Sequence, residues 1–119
     1  DLETTTICLQ HYTLVLEAFL DHKRSPSRKV GELDNRGSHY YLALYWAKAL
    51  ATQSKDLELK NQFSSIALEL SDNEQIILKE LNGIQGDATN IGGYYLPNEK
   101  AADGAMQPSI TLNTIIKSI

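Results

Sequence analysis

Arg24, Arg28 and Arg36 are the only arginines of the chain, and Lys23 and Lys29 stand among them in the run HKRSPSRKVGELDNRGSHYY. A guanidinium presents a planar fork of donors that matches the oxygens of a phosphate or carboxylate. The run leads into an expected helix start at Ser38, where free N–H groups and the positive end of the helix dipole favour an anion. Spacing alone leaves two readings open. Arg28 and Lys29, with Arg24 and Arg36 nearby, could recognise an anionic group. The loop could equally be solvated, its charges meeting Glu32, Asp34 and Asp21 in weak surface pairs. Arg36 reads as structural, because it shares a turn with Asp34 just ahead of the expected cap. Ser25-Pro26 is either a phosphorylation site or, more simply, a proline that shapes the loop.

The remaining polar residues give less. His39 opens the expected second helix and could bind an anion or move a proton; a hydrogen bond to a loop carbonyl is the plainer reading. His11 and His22 have no partners at metal-ligand spacing, and there is no zinc pattern. Cys8 lies in an apolar helix and reads as an inert core thiol rather than a nucleophile. Glu69, Asp72 and Glu74 read as helix exterior and capping groups, not a catalytic pair. No glycine-rich nucleotide fingerprint, phosphate loop or nucleophile elbow is present. Gly92-Gly93 beside Tyr94-Tyr95 reads as a tight turn on which aromatics pack. Tyr40, Tyr41, Tyr45 and Trp46 are at helical spacing and read as core.

At 119 residues the chain is at most one domain. Its hydrophobic content of 42% and charged content of 22% are those of a soluble globular protein. A net charge of -4 argues against nucleic acid as a partner, although a local basic loop can still hold one small anion. No apolar run approaches the roughly 20 residues of a membrane span. The acidic N-terminus lacks the basic segment of a secretory leader. A single cysteine excludes an internal disulfide framework, so a cytoplasmic setting is expected. The first residue is Asp1, not Met, as in a piece of a longer polypeptide.

The apolar pattern predicts a mainly α chain with helices at about 4–22, 39–53, 55–70, 72–82 and 109–117. Pro26 discourages helix at Ser25 and ends the first one. Ser38 and Ser54 are the expected caps of the second and third helices. Ser71 to Glu74 has the form of a capping box, or else lies inside one long helix that runs to Asn82. NIGGYYLP reads as a short strand or extended turn near residues 90–96, and residues 98–107 as a polar loop. Between Tyr40 and Ala51 only Lys48 interrupts the apolar character of the second helix. A helix apolar on all sides must be covered on all sides. A small chain seldom does this alone, so protein outside these residues, or a second copy, is expected against it.

The elements SPxRKVG, DNRGSHxYLxLYWAxALA and GGYYxP, with NEQIILKELNGIQG and MQPSITLN, resemble the C-terminal part of the bacterial monomeric-type NADP-dependent isocitrate dehydrogenases. The resemblance runs from about Phe19 to Ile119; the residues before it match only as a helix. It implies that residues 1–119 form one partial domain of a larger α/β two-domain enzyme. That enzyme oxidises isocitrate to 2-oxoglutarate and carbon dioxide in the tricarboxylic acid cycle and glyoxylate bypass, reduces NADP and requires magnesium or manganese. The resemblance also implies that the arginine of SPxRKVG, here Arg28, holds the cofactor 2′-phosphate, with Lys29 as its neighbour. It gives no direct role to Arg24, Arg36 or His39. The family's metal ligands, isocitrate-binding residues, catalytic lysine and tyrosine and other 2′-phosphate ligands lie upstream, so the partner implied is the remainder of the same chain. This stretch alone is expected to be inactive. A free-standing helical interaction module, with the second helix as dock and the basic loop as rim, is the alternative.

Overall fold

A computed structural model describes residues 2–86, 88–93 and 95–119. Six helices follow one another: α1 (Leu2–Asp21), α2 (Asn35–Thr52), α3 (Leu57–Asp72), α4 (Glu74–Asn82), α5 (Glu99–Met106) and α6 (Ile110–Lys117). Helix α2 is the centre. α1, α3 and α4 pack directly on it, and α6 lies across α3 and α4. Tyr40, Tyr41, Leu44 and Ala47 of α2 meet Ile66, Ala67 and Leu70 of α3, Ile77 and Leu81 of α4 and Ile115 of α6 in the main core. Ile7, Leu50 and Leu59 form a smaller cluster at the other end.

Helices α1, α3 and α4 supply much of the cover of α2, while its Leu42, Ala43, Tyr45, Trp46 and Ala49 stay partly exposed. Between Gly37 and Ala51 only His39 and Lys48 are exposed. Further apolar side chains are uncovered on α1. One face of α1 buries Ile7 and Val15, while Leu2, Leu9, Leu16 and Leu20 on the other are 38–84% exposed.

Helix ends differ from the sequence reading where two good caps compete. α2 starts at Asn35, capped by Asp34, whose Oδ1 accepts from the Gly37 N–H at 3.0 Å. Ser38 is not the cap. It is buried, and its hydroxyl donates to the Arg24 carbonyl at 2.6 Å. α3 is capped by Asp56, not Ser54. Gln53 organises the turn before it, its side-chain oxygen accepting from the N–H groups of Lys55 and Asp56. Ser71 lies inside α3; the helix breaks only at Asn73, without a side-chain cap. Glu74, the acid of the presumed capping box, instead accepts from the Tyr41 hydroxyl at 2.6 Å.

Two segments change class. Residues 98–107 are not a polar loop: Asn98 caps α5 by accepting from the Ala101 N–H at 3.0 Å. No strand forms near 90–96 among the described residues, and Tyr94 lies outside them. A strand needs a ladder partner, and among the described residues no second strand is present to offer one. The segment closes on itself instead. Asn90 Oδ1 accepts from the Gly92 N–H at 2.9 Å, and the Ile91 carbonyl accepts from the Asn98 N–H. Gly92 and Gly93 sit at φ +82° and +138°, positions that a side chain would strain.

Glu80 binds α4 to α6. Its carboxylate accepts from the Ser109 hydroxyl at 2.5 Å and from the Thr111 N–H and hydroxyl at 3.2 and 2.9 Å. The Ser109 bond, with those of Thr111, holds the Glu80 carboxyl below its ordinary value of 4.5 against the opposing effect of desolvation. A depressed carboxylate adds stability that is full above that ordinary value and is lost as pH falls through the depressed one. Glu80→Gln is therefore expected to lower the thermal midpoint near neutral pH, with the gap to wild type closing in acid; a gap that persists unchanged in acid refutes this. Asp34→Ala should cost about 1–2 kcal/mol for the lost cap, and Asp34→Asn less, measured by urea unfolding. An Asp34→Ala protein as stable as wild type would refute the cap assignment.

Candidate functional site

The basic loop begins where α1 ends. The Lys23 N–H donates to the Leu20 carbonyl and the Arg24 N–H to the Phe19 carbonyl, at 3.0 and 3.1 Å. This paired pattern closes a helix through a left-handed residue, and Lys23 takes that place at φ +56°. Pro26 then keeps the chain extended.

Arg24 is held inside the fold. Its guanidinium carbon lies 3.9 Å from the centre of the Tyr41 ring, and its Nε donates to the Tyr45 hydroxyl at 3.2 Å. With its carbonyl taken by Ser38, the residue fixes the first corner of the loop against α2. Arg36 is held at the other end. Its Nε and Nη2 donate to Asp34 Oδ2 at 2.9 and 2.5 Å, and its Nη1 donates to the Ala105 carbonyl of α5 at 2.6 Å. Burial pushes the Asp34 carboxyl up, but the Gly37 N–H and Arg36 outweigh it and leave the group below its usual value.

Between these anchors residues 27–33 form a closed turn. The Ser27 N–H donates to the Leu33 carbonyl at 2.7 Å and closes the neck. The Ser27 hydroxyl accepts from the Lys29 N–H at 3.2 Å and donates to the Glu32 carboxylate at 3.1 Å. Gly31 turns the tip at φ +89°. From outside the loop, Gln85 Oε1 accepts from the Gly31 N–H at 2.6 Å, and Gln85 Nε2 donates to the Glu32 carbonyl at 2.8 Å.

Arg28 and Lys29 occupy the tip of this turn, and both are exposed. Neither side chain has an ion-pair or hydrogen-bond partner among the described residues. The geometry thus separates three arginines that spacing could not. Arg24 and Arg36 are spent on holding the loop, and Arg28 has its whole donor fork available. An exposed guanidinium and ammonium on a fixed backbone can receive a dianionic phosphate.

The other candidates behave as structural groups. His39 Nδ1 lies 2.7 Å from the Asn35 carbonyl, one turn back in α2 itself and not in the loop. It lines a cleft of about 490 Å³ between the start of α2 and α6, which also includes Arg36, Asn113 and Lys117. His11 and His22 bond helix carbonyls of Ile7 and Ala18 in the same way. Cys8 is half-buried and lines an apolar groove of about 250 Å³ with Trp46, Phe63 and Ile115. Among the described residues no three His, Cys, Asp or Glu side chains converge on a metal position. No helix among them is long and apolar enough to cross a membrane. Gln85 and the tyrosine cage of Arg24 were not foreseen. The tyrosines were legible only as core, and no local pattern marks Gln85.

The family model described as monomeric isocitrate dehydrogenase matches residues 3–117. The protein named isocitrate dehydrogenase (NADP) 2 of Colwellia maris is 56% identical over 101 residues, which cover 85% of this chain and 14% of that protein. Isocitrate dehydrogenase (NADP) of Azotobacter vinelandii is 55% identical over 97 residues, covering 82% of this chain and 13% of the relative. Isocitrate dehydrogenase (NADP) 2 of Mycobacterium tuberculosis is 48% identical over 100 residues, covering 84% and 13%. The chain thus spans about 14% of the length of the curated relatives it matches. From the first turn of α1 to the closing helix, it belongs to the monomeric isocitrate dehydrogenase family.

Proposed function

We propose that residues 1–119 are the C-terminal portion of an NADP-dependent isocitrate dehydrogenase, and that Arg28, assisted by Lys29, holds the 2′-phosphate of NADP. The whole enzyme oxidises isocitrate to 2-oxoglutarate and carbon dioxide, with bound NADP as hydride acceptor. The observation that carries the site is the unshared guanidinium of Arg28 on a turn whose other two arginines are committed to the fold. A 2′-phosphate is what distinguishes NADP from NAD, so a free positive fork at this atom sets cofactor preference.

The residues present suit one end of the cofactor and none of the metal. Arg28 and Lys29 supply charge for the phosphate, whereas no cluster of acids among the described residues could bind magnesium or manganese. We assign metal, isocitrate and the groups that move protons to the rest of the enzyme chain, which is this portion's partner. A cytoplasmic setting goes with that assignment. This portion alone has no turnover and binds NADP weakly, since one or two charge-assisted bonds beside water add little affinity. The rival reading, a docking module built on α2, has less support, because α1, α3 and α4 pack on that helix and the family match speaks for the enzyme.

In the full-length enzyme Arg28→Ala is expected to raise the KM for NADP roughly 10- to 100-fold, as for loss of a charged hydrogen-bonding group. The KM for NAD and for isocitrate should change less than twofold. Arg28→Lys should fall between, because an ammonium lacks the fork. Inhibition by adenosine 2′,5′-bisphosphate should weaken in step. An unchanged KM for NADP in Arg28→Ala defeats the assignment.

A further inference from the structure

The turn that presents Arg28 and Lys29 cannot be shaped by its own residues alone. Inside it, the backbone of residues 28–32 makes one bond of 3.3 Å, Glu32 N–H to Lys29 carbonyl, and one to the Ser27 hydroxyl. Its tip is fixed from a distance in sequence. Gln85, just beyond the end of α4, lays its side-chain amide against the backbone of two consecutive tip residues. Its oxygen takes the Gly31 N–H at 2.6 Å, and its nitrogen reaches the Glu32 carbonyl at 2.8 Å. The amide thus acts as a peptide group would across a ladder, with both polar ends matched. Its nitrogen also donates to Asn82 Oδ1 at 3.0 Å, and the Gln85 N–H donates to the Asn82 carbonyl at 3.2 Å, which ties the clamp to the last residue of α4.

A second contact repeats the attachment one residue along. Val30 rests on Gly86, where an added Cβ would lie 3.2 Å from Val30 Cγ1. Gly86 also has φ +88°, so the position is closed to side chains on two counts. Residues 30–32 therefore lie directly on residues 85–86. Arg28 and Lys29 are next in the chain, with the neck at Ser27 and Leu33 behind them.

We infer that Gln85 is a positioning residue for cofactor discrimination: its amide holds the Gly31–Glu32 backbone on the end of α4 and so aims the Arg28 fork. This rests on the reading of Arg28 as the 2′-phosphate ligand. Gln85 need not touch the cofactor. A flexible turn would leave Arg28 charged and close, but would make the phosphate bear the ordering of the loop. Orientation of a bidentate donor is what such a clamp supplies.

The test is steady-state kinetics of the full-length enzyme carrying Gln85→Met, which keeps the side-chain bulk and removes both polar ends. The KM for NADP should rise about fivefold, the effect of one or two lost hydrogen bonds. The kcat and the KM values for NAD and isocitrate should stay within twofold of wild type. In an Arg28→Ala background the same substitution should add nothing to the KM for NADP, because there is no fork left to aim. Gly86→Ala, which pushes on Val30, should raise the KM for NADP alone in the same way. An unchanged KM for NADP in Gln85→Met overturns the inference, as does an equal rise with and without Arg28. A protein that loses kcat and isocitrate binding together also overturns it, since the residue is then general scaffold. If Arg28→Ala itself leaves the KM for NADP unchanged, the reading of Arg28 fails, and this inference with it.

Discussion

Helix α2 buries Tyr40, Tyr41, Leu44, Ala47 and Leu50 against α1, α3 and α4, and between Gly37 and Ala51 only His39 and Lys48 are exposed. That burial is the condition on which the remaining structure rests. The hydroxyls of Tyr40 and Tyr41 have to find acceptors within the fold, and they do, at the Leu70 carbonyl and the Glu74 carboxylate. Burial keeps both phenols protonated well above their ordinary range. The Tyr41 ring then forms the floor on which Arg24 lies. The apolar helix therefore supplies the ground for the polar loop, and the loop's first corner is as fixed as the core beneath it.

The loop divides its cations between support and display. Arg24 stacks on an aromatic face and Arg36 grips a carboxylate in two places, both uses that suit a planar delocalised cation. Each holds one end of a segment whose middle projects into water. What separates Arg28 from its neighbours is the absence of a partner among the described residues on an otherwise well-bonded backbone. The proposed function gives that unshared charge a counterpart, the anionic end of a dinucleotide.

Much of this was legible in order along the chain. Pro26 marks the end of α1, the Tyr40–Ala51 pattern marks a buried helix, and the spacing of Asp34 and Arg36 announces their pairing. What escaped was decided by contacts across the fold. Asp34 and Ser38 are equally good caps by type; Ser38 is excluded because the Arg24 carbonyl needs its hydroxyl. α5 hides behind Gly104 and a polar composition, yet Asn98 caps it. The Gly92-Gly93 segment looks extended, but a strand exists only where a neighbour can share its hydrogen bonds. Gln85 meets Gly31 across 54 positions, a distance at which local pattern says nothing.

Helix α5 buries none of its residues, and the Arg36 bond to the Ala105 carbonyl ties it to the start of α2. Such a segment opens without disturbing the core, because little apolar surface is uncovered when it does. Its amide protons are therefore expected to exchange with solvent sooner than those of α2.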